Sequence, residues 1–351
     1  MNKLFTGAFF LCLLTLFAGC SSSDDDDDLA GDWIRKSDFG GVSRRGAVSF
    51  VIDDIAYVGT GYNYGASSTD KRHLADFWSY DAARDNWDTI ATFPGAPRTD
   101  AVAFSAGGKG YVGLGRNSLT DEKYKDFYEY DPGTNKWTKI ADFPGAGGRY
   151  YAVSFSINNI GYVGSGTDGN NDQQDFYKYD PSKSTPGWEK ISNIKTKRVM
   201  AFSFVIGNIA YVGGGQNNGA LVPSFYAYDP SKDTWTRKIS LYPDGDDEET
   251  KEIKENDDYN YNLQRYSAVA FSIGNYGYLT TGMGSGTSST SWRYNPDRDL
   301  WEDVDTFEGS SRYGATGFAI NGKGYITTGG GSSTSGTDDL WMFDPNASDD
   351  D

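Results

Sequence analysis

The chain repeats one unit six times, and few folds can satisfy that. Six segments open on an arginine and close on a phenylalanine: Arg45–Phe50, Arg98–Phe104, Arg149–Phe155, Arg198–Phe204, Arg265–Phe271 and Arg312–Phe318. The arginines lie 53, 51, 49, 67 and 47 residues apart. Each segment leads through a two-residue Gly/Asn/Asp pair into a second run such as Tyr57-Val-Gly-Thr-Gly61, with counterparts ending at Gly115, Gly166, Gly215, Gly282 and Gly329. The pairs are those that tolerate positive φ in tight hairpins. A third run reads Phe77–Asp81, Phe127–Asp131, Phe176–Asp180 and Phe225–Asp229, with weaker copies at Ser291–Asn295 and Leu340–Asp344. In five of the six, proline follows the last residue and sets a β-turn. A tryptophan then opens a fourth run at Trp87, Trp137, Trp188, Trp235 and Trp301. Six units thus carry five such tryptophans. The missing copy is at the other end, in Gly31-Asp-Trp33-Ile-Arg-Lys36. The expected solution is a ring in which this N-terminal strand completes the last sheet and removes an open edge.

Composition agrees with an all-β chain. Aromatic residues make up 15% and there are 44 glycines in 351 residues, enough apolar area to offset ordering entropy and enough glycine for many turns. No segment has an amphipathic helical pattern. Residues 244–258 hold good helix formers but only Ile253 as an anchor, so they read as an acidic insertion. The formal net charge of −17 opposes nucleic-acid binding. Most of that charge lies in Asp24–Asp28, in the nine acids of 244–258 and in the acidic tail 347–351. The repeats themselves are nearly balanced, so an anion site on them is permitted.

The glycine-ended second run, the tryptophan that follows the Tyr-Asp-Pro run and the arginine before the first strand resemble the kelch repeats of β-propellers. The likeness covers about residues 29–346 and implies an all-β, six-bladed kelch-type propeller around a central channel. Ala47, Ala101, Ala152, Ala201, Ala268 and Ala315 suit the crowded strand nearest the axis.

The first residues read as an address. Lys3, an apolar stretch from Leu4 to Phe17 and then Ala18-Gly19-Cys20 resemble a bacterial lipoprotein signal, with Phe17 where leucine is usual. The resemblance implies a signal peptide at 1–19 and a lipid on Cys20, the only membrane attachment, followed by an acidic tether at 20–28. Ser21 is not the aspartate of inner-membrane retention, and the acidic run resembles surface-export signals. An outer-membrane lipoprotein facing outward is expected.

Strands alternate within a blade, so the loops between second and third strands share one face with the start of each first strand. This top face carries the longest and most varied loops. Two readings of its arginines compete: an anion site built from Arg45, Arg98, Arg149, Arg198, Arg265 and Arg312, flanked by Tyr150, Tyr151, Tyr266 and Tyr313, or a joint that every blade needs. Related kelch domains bind acidic peptides or sugar acids on this face. His73, in the first loop, is expected to be ordinary exposed surface. Copper chemistry of the galactose oxidase-like enzymes needs two histidines, and one is present. Asp168, Asn170 and Asp172 have the oxygen spacing of a calcium loop, but Gln173 and Tyr179 stand where glycine and glutamate belong. Gly164-Ser-Gly166-Thr-Asp-Gly169 imitates a dinucleotide fingerprint without the helix that motif needs. No cofactor is expected. The first reading is a monomeric binding or scaffold module for a glycan, an acidic small molecule or a protein. The alternative is a metal-independent sugar-acid mutarotase of the N-acetylneuraminate epimerase type.

Overall fold

The computed structural model describes residues 29–69, 72–242, 261–331 and 336–347. The leader and tether (1–28), the acidic insertion (244–258) and the end of the tail lie outside them. The described residues form six four-stranded antiparallel sheets and no α-helix.

Blade I is built from Val48–Ile52, Ile55–Gly59, Phe77–Asp81 and Asn86–Thr89. Blade II uses Val102–Ala106, Lys109–Gly113, Phe127–Asp131 and Lys136–Lys139, and blade III uses Val153–Ile157, Ile160–Gly164, Phe176–Tyr179 and Trp188–Ile191. Blade IV uses Phe202–Ile206, Ile209–Gly213, Phe225–Asp229 and Thr234–Arg237, and blade V uses Val269–Ile273, Tyr276–Thr280, Ser291–Asn295 and Leu300–Val304. Blade VI combines Tyr313–Ile320, Lys323–Gly330 and Leu340–Asp344 with the N-terminal Asp32–Lys36. That last pairing is antiparallel, with Trp33 opposite Phe343. Trp33 is buried, its ring 4.9 Å from that of Phe307 and 5.0 Å from that of Phe343.

The hairpins follow their sequence. Both turn residues are left-handed at Asp53-Asp54, Gly107-Gly108, Asn158-Asn159 and Asn321-Gly322, whereas at positions 207 and 274 the glycine alone is.

The outer-strand tryptophans tie each blade to the one before it, five of the six through an Nε1 hydrogen bond and Trp301, among the described residues, through ring packing alone, as on Phe225. Trp137 Nε1 donates to the Ala91 carbonyl, Trp188 to Ala141, Trp235 to Ser192 and Trp33 to Asp305. Their rings also pack on the neighbouring third strand, as Trp137 does on Phe77 at 5.0 Å and Trp188 on Phe127 at 4.8 Å. The inner strands line the channel with small residues, the six alanines among them, around a cavity of about 220 Å³.

Two closed rings of backbone hydrogen bonds bind the blades at the channel mouth. In the outer ring, the amides of Gly61, Gly115, Gly166, Gly215, Gly282 and Gly329 donate to the carbonyls of Arg98, Arg149, Arg198, Arg265, Arg312 and Arg44. This is why the second run ends in glycine. Gly115 has φ +87°, and a Cβ there would lie 2.7 Å from the Thr99 carbonyl oxygen. In the inner ring, Asp100 N donates to Gly46 O, Tyr151 N to Asp100 O, Met200 N to Tyr151 O, Ser267 N to Met200 O, Gly314 N to Ser267 O and Gly46 N to Gly314 O.

Candidate functional site

The rings correct the repeat alignment. The arginine that closes the outer ring in blade I is Arg44, so Arg45 is not a member of the repeating series. The guanidinium of each member donates to a carbonyl 16 residues on: Arg44 to Thr60, Arg98 to Leu114, Arg149 to Ser165, Arg198 to Gly214, Arg265 to Thr281 and Arg312 to Thr328. Four of them also grip a carboxylate just before the third strand, namely Asp76, Asp126, Asp175 and Asp339. All six are at most 4% exposed. They stand inside the blades, holding the second strand to the third, and not at the channel mouth.

Arg45 occupies the next position along, equivalent to Thr99, Tyr150, Val199, Tyr266 and Tyr313. It lines a cavity of about 300 Å³ at the mouth, together with Tyr64, Asp100, Arg116, Tyr151, Gln216, Tyr266 and Tyr313. Its guanidinium carbon sits 4.2 Å from the centre of the Tyr64 ring and 4.5 Å from that of Tyr313, and Nη2 donates to the Tyr64 hydroxyl. Two aromatic faces thus fix the cation in place.

The backbone of the inner ring forms the floor. Gly46, Asp100, Tyr151, Met200, Ser267 and Gly314 all have φ between 49° and 65°. Two blades use glycine at this left-handed position, as expected, and four use larger residues that adopt it at a cost. All six line the cavity. Asp100 and Tyr151 meet there on Arg116, whose Nε donates to Asp100 Oδ2 at 3.0 Å and whose Nη2 donates to the Tyr151 hydroxyl at 2.8 Å. Arg116 also lies 4.0 Å from the Tyr150 ring centre. Burial pushes the Asp100 carboxyl up, against the opposing pull of Arg116 and Arg45. Burial likewise pushes the Tyr151 phenol up, so it stays a protonated donor.

His73 is buried, contrary to the surface position expected for it. Its Nε2 accepts from the Ser118 amide at 3.0 Å, and its ring lies edge-on to Tyr62. Burial first, and then the charge of Arg116, lower its pKa. A neutral His73 braces the loop that carries Ser118 against blade I. That loop folds as a short hairpin, Arg116–Asn117 with Glu122–Lys123, and blade IV repeats the device at Gln216–Asn217 with Ala220–Leu221.

Of the tyrosines singled out from sequence, Tyr151, Tyr266 and Tyr313 line the mouth, and Tyr150 packs against Arg116. Tyr64, Asp100, Arg116 and Gln216 were not singled out. Arg116 and Gln216 vary at the position after the second-strand glycine and Asp100 at the inner-ring position, and that blade-to-blade variation was the available signal.

The oxygen-rich loop of blade III turns its groups onto backbone. Asp168 Oδ1 accepts from the amides of Asn170 and Asn171, and Asp172 accepts from the amide of Asn218. Among the described residues, the carboxylates that converge within 4.8 Å are elsewhere, at Asp32, Asp305 and Glu308.

Comparison with known proteins supports the architecture. A Kelch motif model matches residues 197–238. The solved structure of YjhT is similar to this chain with a TM-score of 0.67, over 86% of this chain and 95% of the other, at 16% identity. At that identity the likeness concerns the fold alone. No curated protein matches the sequence. The chain is an all-β, six-bladed propeller with a kelch motif, a fold that commonly serves as a binding module.

Proposed function

We propose that this protein is a lipid-anchored cell-envelope binding module whose channel mouth receives the acidic unit of a glycan. One observation carries the reading. Arg45 is set one residue beyond the structural series, so it stands in the mouth between Tyr64 and Tyr313. An arginine held this way suits a carboxylate, and the surrounding phenols suit sugar hydroxyls and ring faces. The anchor rests on Cys20 after Ala18-Gly19, and the tether on Asp24–Asp28. Protease shaving of intact cells tests the outward orientation; full protection of the protein would reject it.

A second reading, exchange of sugar-acid anomers, is favoured by Asp100. Its carboxyl is raised by burial beside two arginines and a phenol, so it is suited to hold a proton at the mouth. One experiment separates the two. Free N-acetylneuraminate and an acidic-glycan array are titrated into the full chain, and anomer exchange is followed by NMR. Saturable binding that Arg45→Ala removes, without accelerated exchange, supports the binding module. Accelerated exchange that Asp100→Asn removes supports the mutarotase. Neither binding nor exchange would overturn both.

A further inference from the structure

The six structural arginines are not equally supported, and the least supported one opens on a cavity. In blades I, II, III and VI the guanidinium has a carboxylate: Asp76, Asp126, Asp175 or Asp339. An aromatic ring also lies against it, from Phe39, Phe93, Phe143 or Phe307, at 4.7–5.1 Å. In three of these blades Nε donates to the carbonyl two residues earlier, at Val42, Ala96 or Ser310.

Arg265 of blade V has none of these. The carboxylate position holds Thr290, whose carbonyl and hydroxyl take Nη1 and Nη2 at 3.1 and 2.9 Å. The residue that matches the phenylalanine is Leu241, placed by the same backbone bond, from its amide to Pro223 O, that Phe93 makes to Ala75 O. Among the described residues, Nε of Arg265 has no acceptor. Blade IV differs in part: Ser224 replaces the aspartate, but Arg198 retains its Nε bond to Thr196 and the Tyr226 ring at 5.6 Å. Arg265 is 4% exposed and has no countercharge among the described residues, and burial lowers its pKa to about 10. A buried cation whose partners are all neutral is costly.

Beside it lies a cavity of about 340 Å³ lined by Asn262, Gln264, Thr287, Ser288 and Thr290 as well as Arg265. Among the described residues its walls offer amides and hydroxyls and no carboxylate. We propose that this cavity is a second ligand site, separate from the channel mouth, that takes the carboxylate of a small hydroxy acid on the Nε–Nη2 edge of Arg265. The ligand supplies the charge that four sister blades build in. The planar fork selects a carboxylate, and the hydroxyls and amides of the wall receive the rest of the molecule.

The test uses the full chain and sodium lactate, with sodium chloride at equal ionic strength as control and sodium phosphate as a competing oxyanion. Wild type is expected to gain a saturable rise in Tm with lactate, about 5 °C at 100-fold over Kd. Thr290→Asp places the carboxylate where the sister blades have it, so it should melt higher than wild type without ligand and lose the lactate response. Thr290→Asn should keep the response, and so should Arg45→Ala. No saturable response in wild type, or an equal response in Thr290→Asp, would overturn the proposal. Loss of the response in Arg45→Ala would move the anion to the mouth, and a larger response to phosphate would overturn the carboxylate assignment.

Discussion

Two arginines from opposite sides of the corrected alignment should behave as different kinds of residue. Arg149 belongs to the structural series and Arg45 to the mouth. In Arg149→Ala the Ser165 carbonyl and both oxygens of Asp175 lose their donors, which now sit at 3.1, 2.7 and 3.2 Å. The Asp175 side chain is only 18% exposed, so water replaces the guanidinium poorly. Breaking such a pair by removing one partner costs about 3–5 kcal/mol. In a domain of this size each kcal/mol is worth about 2 °C, so Tm should fall by about 6–10 °C. Arg45→Ala loses two cation–ring contacts, each worth about 0.5–1 kcal/mol, and one hydrogen bond. With the hydrogen bond at about 1 kcal/mol, its Tm should fall by about 4–6 °C, while affinity for an acidic sugar falls at least about tenfold. Calorimetric melts and ligand titrations on both variants measure this. Pairing Arg149→Met with Asp175→Leu should recover part of the lost stability, because no buried charge is then orphaned. The reasoning fails if Arg149→Ala melts with wild type yet cannot bind, or if Arg45→Ala melts as low as Arg149→Ala.

Trp33→Ala should cost about 3–5 kcal/mol, since it empties a buried site between Phe307 and Phe343 and removes the bond to Asp305. Hydrogen exchange in Leu340–Asp344 should accelerate with it, and unchanged protection there would deny the N-terminal strand its closing role. Acid should unlock the arginine joints. Burial pushes the Asp339 carboxyl up, but the hydrogen bonds and charge of Arg312 outweigh it and hold the group below its ordinary value. A folded-state value below the unfolded one gives stability that is present above about pH 4 and lost as pH falls through the folded value. Asp339→Asn should therefore melt below wild type at pH 7, and the gap should close as pH drops below about 4. A gap that is constant from pH 7 to pH 2.5 would show that the pair does not titrate in this way.

The scaffold was legible because each of its positions answers the same constraint six times. Gly115 and its counterparts must be glycine, since the left-handed backbone approaches the entry to the first strand of the same blade too closely for a Cβ. The tryptophan count exposed the ring closure before any coordinate did. The arginines were harder to read, because blade I has two in a row. The usable signal was spacing: Arg45 lies five residues before Phe50, whereas the other blades have six, a count that only Arg44 meets. The mouth was harder still. Asp100, Tyr151, Met200 and Ser267 share one backbone conformation but no chemistry, and nothing in a tyrosine or a methionine announces a left-handed φ.

In a propeller, then, repetition and function separate. What recurs in every blade answers to the ring, and a ligand without sixfold symmetry is met by what does not recur. Arg45 beside Thr99 and Tyr150, and Thr290 in place of an aspartate, are departures of this kind. Each is measured against five internal controls in the same molecule. A departure that merely loosened the fold would leave its position empty or apolar. Here Arg45 is clamped between two rings, and the Arg265 guanidinium is buried beside a polar cavity with Thr290 where four sister blades have an aspartate. In blade V the charge is kept and the aspartate is not, and the proposed ligand is the countercharge that would restore the pair.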